Sequence, residues 1–256
     1  MDMKKTILSE KELYLLESLI SDHGYIVTSR QIEAKLGISK QSSRNLVGKM
    51  VRNGWLIRIK KGYFAIANLE SHSFSNISPL AIAQVLVPGS YVSFEYALNY
   101  RGHFDQLPAK VASVTISNTR RYKFQDTEYL FVKAKTEMME GFEEISIEGQ
   151  SAKVAELEKA LLDFLHFRRD SYTADLLIEK LKEIRDEIDV QKMTDLSRAY
   201  PITLRRRLGF LLDIAGIDSG RLHKNLKRTP GFAKLTKNSN LFNSKWRLYY
   251  EDRFTK

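Results

Sequence analysis

The sequence predicts an α+β protein with an N-terminal winged helix-turn-helix, followed by a larger mixed domain that has a small antiparallel sheet and several helices. Two observations predict the first part: three helical patterns with short turns at 9–53, and a hairpin pattern at 55–67. The second part is predicted by strand-like runs that give way to helical patterns. We expect a winged-helix domain at 1–70, a Ser-rich linker at 71–79 and a second domain at 80–256.

Capping residues mark the ends of the first three helices. Ser9 has Glu12 three residues later, which is the capping-box spacing, and Thr28 and Ser39 precede the second and third helices. Gly37 supplies the positive φ that a sharp turn between two helices requires. The third helix carries a hydrophobic stripe on one side and basic or amide side chains on the other. This order of elements is typical of a helix-turn-helix.

The hairpin after the third helix has a basic turn, made of Lys60, Lys61 and Gly62. From Arg30 to Lys61 there are nine lysines or arginines and one acid, Glu33. A solvated helix face usually carries both charges, so this excess indicates a polyanion such as double-stranded DNA. A helix in the major groove reads bases with its N-terminal residues, while a wing contacts phosphate. The predicted DNA contacts are Arg30, Lys40, Gln41, Ser42, Arg44, Asn45, Lys49, Arg58, Lys60 and Lys61.

The second domain is predicted to begin with helices and continue as a sheet. A helix at 79–87 starts with proline in its first turn, and Ser93 is expected to cap a helix that ends near Gly102. Alternating residues predict four strands, at 111–116, 121–124, 129–132 and 144–147. Helical patterns follow from Val154, and the terminal segment SKWRLYYEDRF predicts a closing strand.

Charge is distributed unevenly along the chain, whose net charge is +10. The net charge is +5 over 1–70, −4 over 71–200 and +9 over 201–256. The last segment contains a basic cluster that could contact DNA a second time, contact an acidic protein partner, or simply be solvated surface charge. The members of this cluster are Arg205, Arg206, Arg207, Lys224, Lys227 and Arg228.

Several classes of enzyme find no support in the sequence. There is no cysteine, and the five histidines have no paired spacing, so no metal site is expected. Neither a GxxxxGK[ST] loop nor a GxGxxG motif occurs, so no nucleotide cofactor is expected. Glu128 and Lys133 are too far apart in sequence for an acid-x-Lys nuclease motif. No apolar run is long enough for a membrane span or a signal peptide. We therefore expect a non-enzymatic, cytoplasmic protein.

Three segments carry a resemblance to a known family: KKGYFAI in the wing, PGSYVSFEYALNYRG early in the second domain, and AELEKALLDFL later. In this order they resemble the AbiEi antitoxin family of type IV toxin–antitoxin systems. The resemblance implies repression of the protein's own operon, through inverted repeats bound by the winged helix. It also implies a C-terminal domain that neutralises a nucleotidyltransferase-like toxin encoded next to it, in bacterial phage defence.

Two alternatives from other classes remain open from the sequence. One is a standalone winged-helix transcription factor whose C-terminal domain senses a ligand. The other is a DNA-processing enzyme, which a metal-dependent cleavage assay would detect. A toxin gene beside this one would argue against the first alternative.

Overall fold

The computed structural model describes residues 8–74, 77–147, 149–226 and 229–254. Within these ranges the chain forms ten α-helices and twelve strands, so the predicted α+β class is confirmed. The strands belong to three sheets, two of three strands and one of six. No helix in the described ranges has both the length and the apolar character needed to cross a membrane.

The N-terminal helices are α1 (Glu10–His23), α2 (Ser29–Leu36) and α3 (Lys40–Arg52). The capping predicted for them is confirmed: Ser9 and Thr28 form full capping boxes, and the Ser39 side chain accepts a hydrogen bond from the Ser42 amide. Gly37 has a φ of +61°, the left-handed conformation expected of the turn between α2 and α3. The predicted helix-turn-helix is therefore present.

A small antiparallel sheet completes the winged helix. Its strands are β1 (Ile26–Thr28), β2 (Leu56–Lys60) and β3 (Tyr63–Ile66), in the order β1-β3-β2. The hairpin of β2 and β3 is the wing that the sequence predicted. One apolar cluster joins the helices to this sheet; its most buried members include Leu16, Leu19, Val27, Ile32, Met50 and Ile66. Because this cluster fixes α3 against the sheet, it also fixes which side chains of α3 face outward.

The large sheet is mostly antiparallel but contains one parallel pair. After α4 (Pro79–Leu86) and α5 (Phe94–Tyr100), its strand order is β6-β7-β5-β4-β9-β8. Strand β4 pairs antiparallel with β5 and parallel with β9, through Val92 and Val154. Strands β4 and β9 were not predicted; β4 has only two residues. The six strands are β4 (Tyr91–Val92), β5 (Lys110–Thr115), β6 (Arg120–Phe124), β7 (Thr127–Lys133), β8 (Phe142–Ile147) and β9 (Gln150–Ala155).

Helices and a third sheet form the rest of the chain. The helices are α6 (Leu157–Phe167), α7 (Ser171–Glu183), α8 (Val190–Leu196), α9 (Ile202–Ile214) and α10 (Gly220–Leu226). The third sheet has β12 at its centre, parallel to β10 and antiparallel to β11. The predicted closing strand is thus one of three, shorter than expected because Trp246 lies in a turn. The three strands are β10 (Ala233–Lys234), β11 (Leu241–Asn243) and β12 (Leu248–Tyr250).

The described residues divide into two compact units. The first contains the winged helix and the chain up to Ser90, together with the segments Arg121–Tyr129 and Glu144–Lys153. The second contains Tyr91–Arg120, Leu130–Glu143 and the chain from Val154 onward.

Candidate nucleic-acid interface

The N-terminal part of α3 presents an exposed polar face. Ser43, Val47 and Met50 are buried against the apolar cluster, which turns the intervening positions outward. These outward positions are the predicted base-contacting residues, and all of them are exposed: Lys40, Gln41, Ser42, Arg44 and Asn45. The structure therefore places this part of the predicted site at the exposed N-terminal end of one helix.

Two amide side chains on this face are already ordered by each other. Nε2 of Gln41 donates to Oδ1 of Asn45, one helical turn later, at 3.2 Å. This bond leaves Oε1 of Gln41 as an acceptor and the amide nitrogen of Asn45 as a donor. An adenine edge in the major groove offers one donor, N6–H, and one acceptor, N7. The ordered pair of amides can therefore supply both partners of an adenine.

The wing is fixed in place beside the start of α2. The Ser29 amide donates to the carbonyl of Gly62 at 2.9 Å, and Gly62 adopts the positive φ of +80° that the tight turn needs. Arg58 is exposed, with its guanidinium 5.6 Å from the centre of the Phe64 ring. Lys61 is exposed at the tip. The wing thus holds the cations of Arg58 and Lys61 at defined positions on a short hairpin, and no long loop has to become ordered.

A concave surface lies between α2, α3 and the wing. Its volume is about 510 Å³, and Arg44, Arg58 and Lys61 all line it. Glu33 is the one carboxylate among the residues that line it in the described chain. Three cations on one concavity favour an anionic partner, because their mutual repulsion falls when a phosphate lies among them.

Two of the predicted contacts are less available than the sequence suggested. Nζ of Lys49 binds Oε1 of Glu12 at 2.8 Å, and this ion pair holds the pKa of the Glu12 carboxyl below its usual value. Lys60 is half-buried with its ammonium 4.7 Å from the Tyr63 ring, and burial lowers its pKa. The cationic contacts that are exposed and form no ion pair within the described ranges are Arg30, Lys40, Arg44, Arg58 and Lys61.

The predicted C-terminal cluster does not form one exposed surface. Arg206 is 2% exposed and its guanidinium donates to the carbonyls of Thr229 and Pro230. Arg207 is 5% exposed and its guanidinium donates to the carbonyls of Leu165 and Arg168. Arg205 is half-buried, and burial lowers its pKa. The expectation of three surface arginines is therefore corrected, because main-chain carbonyls hold two of them inside the fold.

The remaining members of that cluster have different positions. Lys224 is exposed on α10. Lys227 and Arg228 lie outside the residues that the structure describes.

The second unit contains a buried polar network that the sequence did not reveal. Asp163 is fully buried, and its two carboxylate oxygens accept hydrogen bonds from Tyr91, Ser93 and Tyr200 at 3.0, 2.7 and 2.6 Å. Nζ of Lys159, also buried, lies 3.0 Å from the carboxylate and bonds to the Tyr200 hydroxyl. The network joins the segments PGSYVSFEYALNYRG and AELEKALLDFL, which carried the family resemblance.

This network corrects the role expected for Ser93. Ser93 does occupy the N-cap position of α5, but its hydroxyl makes no capping hydrogen bond and donates to Asp163 instead. No local pattern indicates this bond, because the partner lies 70 positions later in the chain. The spacing of Lys159 and Asp163 on one helix, four residues apart, was the one local hint of an ion pair.

No group of three or more histidine or acidic side chains is arranged to hold a metal ion among the residues that the structure describes. The strongest geometric candidate for a functional surface is therefore the exposed face of α3 with the wing. An exposed basic helix on a three-helix core, beside an ordered basic hairpin, defines the class: a winged helix-turn-helix protein.

A model of a known protein family matches the winged-helix part of the chain. Residues 14–67 match the family model described as "Transcriptional regulator, AbiEi antitoxin", so the resemblance to AbiEi antitoxins is confirmed over the winged helix. No curated protein matches the chain.

One solved structure is similar over almost the whole chain. It is the crystal structure of the RV2827C protein from Mycobacterium tuberculosis, with a TM-score of 0.66 and 16% sequence identity. The similarity covers 97% of this chain and 94% of that one. At this identity the likeness shows a shared fold.

Proposed function

We propose that this protein is the antitoxin of a type IV toxin–antitoxin system and represses its own operon by binding DNA. The observation that carries the DNA-binding part is the exposed face of α3 beside an ordered basic wing. The family match over residues 14–67 supports a regulator and antitoxin role for the chain. The protein would act in the cytoplasm and without catalysis, on an inverted-repeat operator of double-stranded DNA.

In the proposed mode of binding, α3 enters the major groove with its N-terminal end. Arg44 would pair with a guanine, and the ordered amides of Gln41 and Asn45 with an adenine. Arg58 and Lys61 would contact the phosphates that flank the groove, which sets the register of the protein but carries no sequence information. Two copies on an inverted repeat would place one α3 in each half-site.

Fluorescence anisotropy with two labelled duplexes tests the DNA-binding part. One duplex spans the region upstream of the gene and the other has the same composition in scrambled order. Replacing Arg44 with Ala should weaken binding to the upstream duplex by about 1–3 kcal/mol while binding to the scrambled duplex changes little. Lys61→Ala should weaken both alike. An equal loss on the two duplexes for Arg44→Ala would remove this arginine from the base-reading set.

A control variant should come from an exposed cation outside the winged helix. Lys182 on α7 is exposed and forms no ion pair within the described ranges. Lys182→Ala removes the same charge as Lys61→Ala, so it controls for net charge alone. Comparable losses for both variants would mean that binding follows net charge and not the proposed surface.

Co-expression tests the antitoxin part. The open reading frame next to the gene is expressed with the full-length protein or with an Arg44→Ala, Lys61→Ala double variant. Point variants are preferred to a truncation, because the first compact unit includes the segments Arg121–Tyr129 and Glu144–Lys153. Rescue of growth by both proteins would show an antitoxin whose DNA binding is separable. A neighbour that is not toxic, or growth that neither protein rescues, would instead favour a winged-helix regulator whose second unit senses a ligand.

A further inference from the structure

A cationic pocket lies in the second unit, remote in sequence from the winged helix. Its volume is about 380 Å³, within the range of roughly 300–1,000 Å³ that is usual for small-molecule sites. Four cationic side chains line it, and none of the described residues that line it carries a carboxylate. The four are Arg169, Arg207, Lys234 and Lys237. Of these, Arg169, Lys234 and Lys237 are exposed to solvent.

Arg207 is the buried member of the four. Its terminal nitrogens donate to the carbonyls of Leu165 and Arg168, at 2.6 and 3.3 Å, and so cap the C-terminal end of α6. This structural role accounts for two of its nitrogens. Its Nε is buried and has no hydrogen-bond partner among the described residues. Burial and the nearby charge of Arg169 lower the pKa of Arg207 to about 10.

This cluster of four cations is electrostatically unfavourable without a bound anion. The two carbonyl hydrogen bonds of Arg207 replace only part of the hydration that its guanidinium loses, and the second guanidinium nearby, that of Arg169, repels it. The carboxylate of Glu251 accepts a hydrogen bond from the hydroxyl of one lining residue, Thr236, and also binds Arg253. That carboxylate is therefore shared with another arginine. A phosphate in the pocket would offset the repulsion among the four cations.

The rim of the pocket also offers an aromatic surface. The Phe232 side chain is 61% exposed, which is unusual for a residue of its size. It packs edge-to-face against Tyr249, with 5.4 Å between ring centres. Tyr249 is in turn the strand neighbour of Lys234. An aromatic ring of a ligand that stacks on Phe232 would therefore lie close to the cations that would bind its phosphate.

We propose that this pocket binds a nucleoside monophosphate, with its phosphate among Arg207, Lys234 and Lys237 and its base stacked on Phe232. The exposed lysines supply charge that can move to the phosphate, and Arg207 supplies a fixed donor. The cavity is large enough for the whole ligand, which distinguishes it from a site for inorganic phosphate alone. This ligand site is additional to the proposed DNA binding and antitoxin activity.

Isothermal titration calorimetry on the full-length protein tests the proposal with three probes: adenosine 5′-monophosphate, inorganic phosphate and adenosine. The monophosphate should bind most tightly, phosphate more weakly, and adenosine not measurably. Lys234→Ala should weaken the monophosphate by about tenfold or more, as expected for loss of a hydrogen bond to a charged group. Phe232→Ala should reduce the monophosphate to the affinity of phosphate and leave phosphate unchanged. Both side chains are exposed, so thermal unfolding should confirm that the variants fold.

Lys224→Ala is the matched control, because Lys224 is an exposed lysine that does not line the pocket. It should leave all three titrations unchanged. The proposal is overturned if the monophosphate gives no binding, if Lys234→Ala and Phe232→Ala leave it unchanged, or if Lys224→Ala weakens it as much. Duplex DNA provides the last arm: Lys234→Ala should bind the upstream duplex normally. A loss there would make the pocket a second DNA contact and would overturn the nucleotide assignment.

Discussion

The salt dependence of DNA binding can be worked out from the ion pairs of the winged helix. Seven of the ten predicted contacts are cationic, but Lys49 is paired with Glu12 and Lys60 is half-buried over Tyr63. Five exposed, unpaired cations remain, and because Arg44 is assigned to a base, four of them remain for phosphate. At about −0.9 per neutralised phosphate, the slope of log K against log salt should be about −3.6 for one winged-helix domain. Between 50 and 200 mM salt this amounts to a loss of about 150-fold in affinity.

The perturbation is Lys61→Ala, which removes one of the four phosphate contacts. Its slope should be shallower by about 0.9, so that the same rise in salt lowers affinity about 40-fold. Anisotropy titrations of a scrambled duplex over a series of salt concentrations measure both slopes, and no operator sequence is needed. Lys182→Ala on α7 should keep the wild-type slope.

Two results would refute this reasoning. A wild-type slope shallower than about −2 would mean that the exposed cations of the winged helix do not lie on phosphates. A slope for Lys61→Ala equal to that of the wild type would remove the wing from the interface, even if the overall slope were steep.

Three further predictions concern stability, each measured by urea denaturation of the full-length protein. Gly209→Ala should destabilise by about 3 kcal/mol because the new Cβ would lie 2.2 Å from the Trp246 ring, whereas Gly48→Ala, with its nearest contact at 3.7 Å, should be tolerated. Asp163→Ala should cost about 3–5 kcal/mol, since it leaves a buried ammonium unpaired; a loss under 1 kcal/mol would contradict a charged pair. The pKa of the Glu12 carboxyl is lower in the folded protein than its ordinary value of 4.5. This carboxylate therefore contributes stability that is present above pH 4.5 and is lost as the pH falls through its folded-state pKa. Glu12→Gln should therefore lower stability at pH 7 and flatten its acid dependence, and an unchanged pH profile would count against the pair.

The winged helix could be predicted from sequence because its signals are local. Ser9, Thr28 and Ser39 cap helices through bonds to residues three positions later, and Gly37 needs only its own backbone freedom. The predicted elements of this domain agree with the structure to within one or two residues. The two-residue strands β4 and β10 were missed, since so short a segment has no periodicity and is defined only by its neighbours in the sheet.

The sequence could not predict which charged and polar side chains are paired, because their partners are distant in sequence. Lys49 is paired across 37 positions with Glu12, and Ser93 bonds to Asp163 across 70. Arg207 was expected on a surface with its neighbours, but a carbonyl 42 positions earlier holds it inside. Each of these contacts results from packing between elements that are distant in sequence, and a local sequence pattern does not predict that packing.

The sequence by itself determined the class of the protein, the positions of its first three helices and the basic character of α3 and the wing. Helix periodicity and capping act over three or four residues, so short stretches of sequence are enough to predict these features. Only the tertiary structure decided which cations remain available for binding and which four side chains bond to Asp163. It also placed Arg207 in the lining of a pocket that contains no carboxylate among the described residues. The physical reason is that burial and ion pairing depend on elements far apart in the chain, which meet only when the cores form.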